Sequence, residues 1–178
     1  MKKLVFIIAA CLAFAGIIYV FQNRPVANTA DFAPYLNKQH FEAARKTAIN
    51  QIRFWENKLS ANPGNYVYQK QLAGLYAADF KLSGDIRQLK RSDSLLHLVN
   101  ERIPNQVDVL MRLAANAITR HAFREAENYA MQAYRTGEKK FNTSLLRTDV
   151  HLERGDFSTA EMLLKDIASD SHFDYLIR

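Results

Sequence analysis

Eighteen consecutive residues from Leu4 to Phe21, LVFIIAACLAFAGIIYVF, carry no charge or strongly polar group. As a helix they would cover roughly 27 Å, about the hydrocarbon core of a bilayer, so the pattern predicts one transmembrane helix within residues 1–24. The following QNRPVANTADFAPYLNK has two prolines and no helical period, and residues 25–38 read as a tether. From Gln39 the pattern changes again. Phe41, Ala44, Ala48, Ile52, Trp55 and Leu59 recur at spacings of three or four and form one apolar stripe, which predicts a packing helix over 39–62. Pro63 disfavours helix at Asn62 and Gly64 supplies a turn. Further helices are predicted over about 65–80, 85–102, 106–120, 123–137, 141–153 and 157–168. No segment sustains the alternation of a strand, and the short connections imply antiparallel hairpins. The fold class is all-α.

Two alternatives to an anchor remain open at the amino end. Ala13-Phe14-Ala15 has the small residues of a signal cleavage site, and Ala27 to Ala30 is a weaker one, although cutting at the first leaves GIIYVF exposed. IAAC, ending at Cys11, has the form of a lipoprotein signal, but only seven apolar residues precede the cysteine. Lys2 and Lys3 lie before the span and only Arg24 closely behind it, which orients the bulk of the chain outward. With an MKK start of bacterial type, residues 25–178 would face a periplasm from a single-pass inner-membrane anchor. Cys11 is the single cysteine, so an outward domain depends on packing and not on disulfides.

Beyond the anchor, one phrase is written twice. HAFREAENYAMQAY begins at His121 and RGDFSTAEMLLKDI at Arg154, which puts Phe123 and Phe157, and Ala126 and Ala160, each 34 residues apart. A 34-residue period over two helices resembles the tetratricopeptide repeat. In the unit at about 107–140, Leu113-Ala114 and Ala117 match the first helix, Phe123 the turn, and Ala126, Ala130 and Ala133 the second helix. In the unit at 141–174, GDF at 155–157 with Ala160, Leu164 and Ile167 matches, while Arg147, Thr148 and His151 depart from the pattern. An earlier unit matches through Leu72-Ala73, Tyr76, Ser92, Leu96, Val99 and Pro104, provided about seven extra residues form an inserted turn or loop around DFKLSGDIRQLK. The resemblance covers residues 63–174 and implies a solenoid of antiparallel helix pairs, capped by helix 39–62.

The same resemblance implies a concave groove lined by the first helix of each unit, able to hold a protein or peptide partner. Its positions here are Val67, Lys70, Gly74 and Ala77; Asp108, Met111, Ala115 and Ile118; and Asn142, Leu145, Asp149 and Leu152. Some family members clamp a terminal carboxylate with Lys, Arg and Asn. Only Lys70 and Asn142 match in type, and Asp108 and Asp149 oppose an anion, so the expectation is a mostly apolar groove with a weak acidic bias. The same positions could instead pack against neighbouring helices.

Charge and chemistry narrow the picture further. Of the net +6, Lys2, Lys3 and Arg24 supply three, leaving +3 on the remainder, which argues against a nucleic-acid surface. His40, His97, His121, His151 and His172 show no metal-ligand spacing, and His121 and Glu125 straddle a turn. Asp170, Ser171 and His172 are sequence neighbours, poorly suited to converge on one reacting atom. NTS at Asn142 reads as a helix cap rather than a glycosylation site. No catalytic set and no cofactor motif emerges, and the expectation is a non-enzymatic scaffold, the alternatives being a secreted or outer-membrane-associated repeat protein after signal cleavage and an accessory domain of an envelope hydrolase or metalloenzyme. The period would start another unit near Tyr175, so residues 175–178 read either as a tail or as the start of a further unit of a longer array, and in the first case Met162, Leu163, Leu164 and Ile167 are expected to dock a partner or a second copy.

Overall fold

Asn65 starts the first hairpin by accepting hydrogen bonds from the backbone N–H groups of Val67 and Tyr68, at 3.0 and 3.2 Å. This is the local capping chemistry from which the fold is built. In the computed structural model, residues 38–169 are described continuously, together with Phe14, Tyr19 and Phe32. They form α1 (Lys38–Ala61), α2 (Tyr66–Ser83), α3 (Ile86–Arg102), α4 (Val107–Thr119), α5 (Phe123–Arg135), α6 (Lys140–Glu153) and α7 (Phe157–Ser169). Met1–His40 and Phe41–Arg178 are separate units, and α2 to α7 lie wholly in the second. Among the described residues no helix is long and apolar enough to cross a membrane. The expected span Leu4 to Phe21 lies outside them except for Phe14 and Tyr19, as do most of the tether, Asp170 to His172, and Tyr175.

The helices pack as adjacent pairs, α2 with α3, α4 with α5, and α6 with α7, and the pairs meet through α3–α4, α5–α6 and α4–α6. Small residues set the α4–α5 approach. Ala114, Ala117, Ala126 and Ala130 are buried together with Val150 of α6, and side chains of this size let helix axes come close. Tyr129 of α5 packs against this cluster and against two more, Ala73-Leu96-Val99-Val109-Leu113 and Val107-Leu110-Ala133. One aromatic thus joins the cores of the first two pairs.

The turns repeat as the sequence does. His121 and Gly155, 34 residues apart, both have left-handed backbones, with φ of 56° and 76°. Directly after them, the N–H of Ala122 donates to Ala117 and that of Asp156 to His151, each at 2.9 Å. Asn105 and Lys139, also 34 apart, repeat the left-handed conformation before α4 and α6, with φ of 64° and 46°.

The seven extra residues of the first pair form no loop. Leu72 and Ala73 are buried as Leu113 and Ala114 are, 41 positions on, whereas Ser92, Leu96 and Val99 correspond to Ala126, Ala130 and Ala133 at 34. Measured to the left-handed turn residue, Gly84 against His121, four of the seven lengthen α2 and three lengthen α3. Four and three residues are each about one helical turn, so both helices grow together and their packing register survives. The lengthened α2 runs beside the long α1, from the Trp55–Tyr68 ring contact at 5.5 Å to Arg45 and the buried Asp79 at 3.8 Å.

Where α6 departs from the repeat pattern, each polar residue has a local partner. The Thr148 hydroxyl donates to Ser144 O at 3.1 Å, Arg147 stands over the Tyr134 ring at 4.6 Å, and His151 Nδ1 meets Asp156 Oδ2 at 3.0 Å. Two expectations need correction. Asn142 does not cap α6: the helix begins at Lys140, after the left-handed Lys139, and Asn142 lies within its first turn. Leu164 does not point into the core. It is 45% exposed, and Leu163 is buried with Ala160 and Ile167 instead. The corresponding Ala130 is covered by Val150 of the next helix, and among the described residues no helix follows α7 to cover Leu164.

This packing is open to two tests. Ala126→Leu is expected to lower stability by about 1–3 kcal/mol through overpacking, whereas Leu164→Gln should change it by less than about 0.5 kcal/mol; urea unfolding measures both. Asp156 caps α7, and hydrogen bonds from Thr159 first, then from His151 and Ser158, hold its carboxyl down to about 2, against an ordinary 3.8. A depressed carboxyl contributes stability above its unfolded value and loses it as pH falls through the folded one. Acid titration followed by circular dichroism should therefore show an Asp156-dependent loss between about pH 4 and pH 2 that Asp156→Asn abolishes.

Candidate partner groove

The sequence-predicted groove positions fall on α2, α4 and α6, and they divide into three kinds. Val67, Ala115, Asn142, Asp149 and Leu152 are exposed. Met111 is half-buried against Val107, Leu110 and Ala133, and Ile118 against the alanine cluster, so both serve the core as well as the face. Leu145, Gly74 and Ala77 are half-buried.

Lys70 and Asp108 are brought together. Lys70 Nζ lies 2.8 Å from Asp108 Oδ2 and donates to Gln106 Oε1 at 3.0 Å, while Arg112 Nη1 donates to Lys70 O at 3.0 Å. These contacts tie α2 to the start of α4. Partial burial pushes the Asp108 carboxyl up, but the Lys70 hydrogen bond and the charges of Lys70 and Arg112 bring it below its usual value. Lys70 is thereby committed within the fold, as is the carboxylate expected to repel an anion.

Between α2 and α4 lies a recess of about 380 Å³ with Ala73, Gly74, Ala77 and Ala115 on its walls and Arg112 and Lys81 at its edge. Lys81 stands on the helical turn added to α2. Neither Lys81 nor Arg112 has a carboxylate within ion-pair distance among the described residues. Lys81 and Arg112, neither of them a predicted groove position, add cations around this recess. On α6 Asp149 is exposed to solvent on one side, and desolvation by its neighbours and then the charge of Glu153 push its carboxyl above its usual value. Arg112 escapes a reading of the sequence because its role depends on the glycine opposite. A Cβ on Gly74 would lie 2.9 Å from Arg112 Nη1.

A buried polar link behind the recess also escapes the sequence pattern. Asn116 Nδ2 donates to Ser92 Oγ at 3.0 Å and to Asp93 Oδ1 at 2.8 Å, and Arg120 reaches both Asp93 at 2.9 Å and Glu125 at 3.1 Å. Glu125 is thus paired with Arg120, while His121 packs edge-on against Phe123 with ring centroids 5.6 Å apart. The only hint is one amide, Asn116, within the apolar run LMRLAANAI. Among the described residues no three His, Cys, Asp or Glu are grouped to hold a metal ion.

No protein-family model matches the chain, and a comparison with curated proteins finds no similar one. The all-helical fold of paired helices therefore stands on its own geometry.

Gly74→Ala tests the recess. The clash falls on the movable end of Arg112, so the helix preference of alanine over glycine, roughly 0.5–1 kcal/mol, is expected to dominate and raise the unfolding midpoint.

Proposed function

We propose that this protein is a non-enzymatic scaffold, a tetratricopeptide-like solenoid that holds protein partners at the outer face of a bacterial inner membrane. The observation that carries the reading is the repeated left-handed turn. His121 and Gly155 recur at the period of the sequence phrase, each followed by the same backbone hydrogen bond. A solenoid of this kind presents its first helices side by side, and α4 packs directly against α6 here. The exposed Val67, Ala115 and Leu152, with the adjoining recess, give that face apolar surface and room for a side chain. The apolar run Leu4 to Phe21 supports the anchor, and the cations before it support an outward domain.

Crosslinking in native membranes, followed by identification of the captured proteins, tests the scaffold. Val67→Asp and Leu152→Asp alter exposed positions and should abolish capture while leaving the helical spectrum unchanged. Capture that persists would move the binding site to another face. Amino-terminal sequencing of the mature protein should find Met1 or Lys2; a start after residue 15 or residue 30 would show a cleaved signal instead.

A further inference from the structure

A second recess lies away from the groove. Parallel helices α1 and α3 flank α2 and leave a trough of about 560 Å³, floored by Leu59, Pro63, Leu72, Tyr76 and Leu95. Leu98, 50% exposed and one turn beyond Leu95 on α3, continues the apolar line. From Lys90 to Leu98 that line runs roughly 12 Å, about two helical turns.

Three charged groups edge the trough, and two of them are cations. Glu56 is its one carboxylate, and that group is engaged by the Tyr76 hydroxyl, which donates to Oε1 at 2.6 Å. Arg91 lies over the Tyr76 ring at 5.5 Å, and neither Lys90 nor Arg91 has a carboxylate within ion-pair distance among the described residues. Two cations beside an apolar floor complement an anionic occupant.

The hydrogen-bonding groups of the trough limit the backbone it can take. Ser60 and Ser94, the hydroxyls along its edge, donate to Asn57 O at 2.9 Å and to Lys90 O at 3.0 Å within their own helices. The trough thus offers little to pair with the N–H and C=O groups of an extended chain. A helix, which satisfies its own backbone, therefore suits the apolar floor better than an extended chain does. Residues 1–40 are a poor fit on charge, having four cations and one carboxylate, Asp31.

We infer that the α1–α3 trough docks an acidic amphipathic helix of a protein partner, its apolar stripe on Leu59, Leu72 and Leu95 and its carboxylates on Lys90 and Arg91. The inference deepens the scaffold reading and rests on it, but places this contact outside the first-helix groove.

The test uses the full chain in detergent-free nanodiscs and a fluorescent synthetic helix of about 18 residues, long enough to be helical once bound. Its leucines are spaced i, i+3, i+4, i+7 and flanked by glutamate, and a lysine-flanked counterpart serves as control. Anisotropy should show saturable binding of the glutamate peptide at least about tenfold tighter than the lysine peptide. The surface double variant Lys90→Glu/Arg91→Glu should reverse that preference, with an unchanged helical spectrum. The groove variant Leu152→Asp should leave it intact. Equal binding of the two peptides, no binding, or a preference that survives the charge reversal would overturn the inference. So would loss of peptide binding in Leu152→Asp. Failure of the scaffold reading is read separately, as native-partner capture unaffected by both the groove and the trough substitutions.

Discussion

The middle of the molecule depends on how closely α4 and α5 approach, and five alanines set that distance. Ala114, Ala117, Ala126, Ala130 and Ala133 are buried, the first four in one cluster and Ala133 against Val107 and Leu110. Close approach lets Val150 of α6 reach over Ala130 and lets Tyr129 touch the clusters on both sides. Dispersion and burial at such a contact come from many short distances rather than from bulk, so the fit is sensitive to added volume. Burial, together with the charges of Glu125 and Asp93, pushes the Tyr129 phenol up, as expected for a hydroxyl held at the edge of the core.

The amino-terminal end solves the same problem differently. α1 meets its neighbours through Ile52, Trp55, Leu59, Leu72 and Tyr76, which are large and hold the backbones further apart than in the helix pairs. Burial and the Glu56 contact push the Tyr76 phenol up to about 12. This hydrogen-bonded aromatic therefore stays protonated through ordinary alkaline conditions. Packing by large residues leaves surface uncovered. The trough between α1 and α3 lies where this packing leaves Leu59, Leu72, Tyr76 and Leu95 in reach of solvent.

Much of this is legible in the sequence, for identifiable reasons. Helix boundaries fall within three residues of prediction because Pro63, Gly84, Gly137 and Gly155 interrupt otherwise periodic segments. The buried alanines are legible because their spacing repeats at 34 residues. What escapes is whatever depends on a partner distant in sequence. Leu163 and Leu164 are equally apolar, and only the element after a second helix decides which turns inward. His151 looks like a departure from the repeat until Asp156, across the turn, supplies its contact. The groove can be read position by position, but the Lys70–Asp108 pair that fixes two of its charges joins residues 38 apart on different helices.

That pairing changes which charges are left without an ion-pair partner on each surface. On the face of the first helices, Lys70 is paired with Asp108, and Arg112 and Lys81 stand around one recess with no carboxylate within ion-pair distance among the described residues. Across the first pair, Glu56 is engaged by Tyr76, and Lys90 and Arg91 remain available beside an apolar floor. On one face an ion pair offsets a carboxylate, on the other the Glu56 carboxylate accepts a phenol hydrogen bond, and both have two cations beside an apolar opening. Four of the cations without an ion-pair partner among the described residues thus lie at two recesses, Lys81 and Arg112 at one and Lys90 and Arg91 at the other.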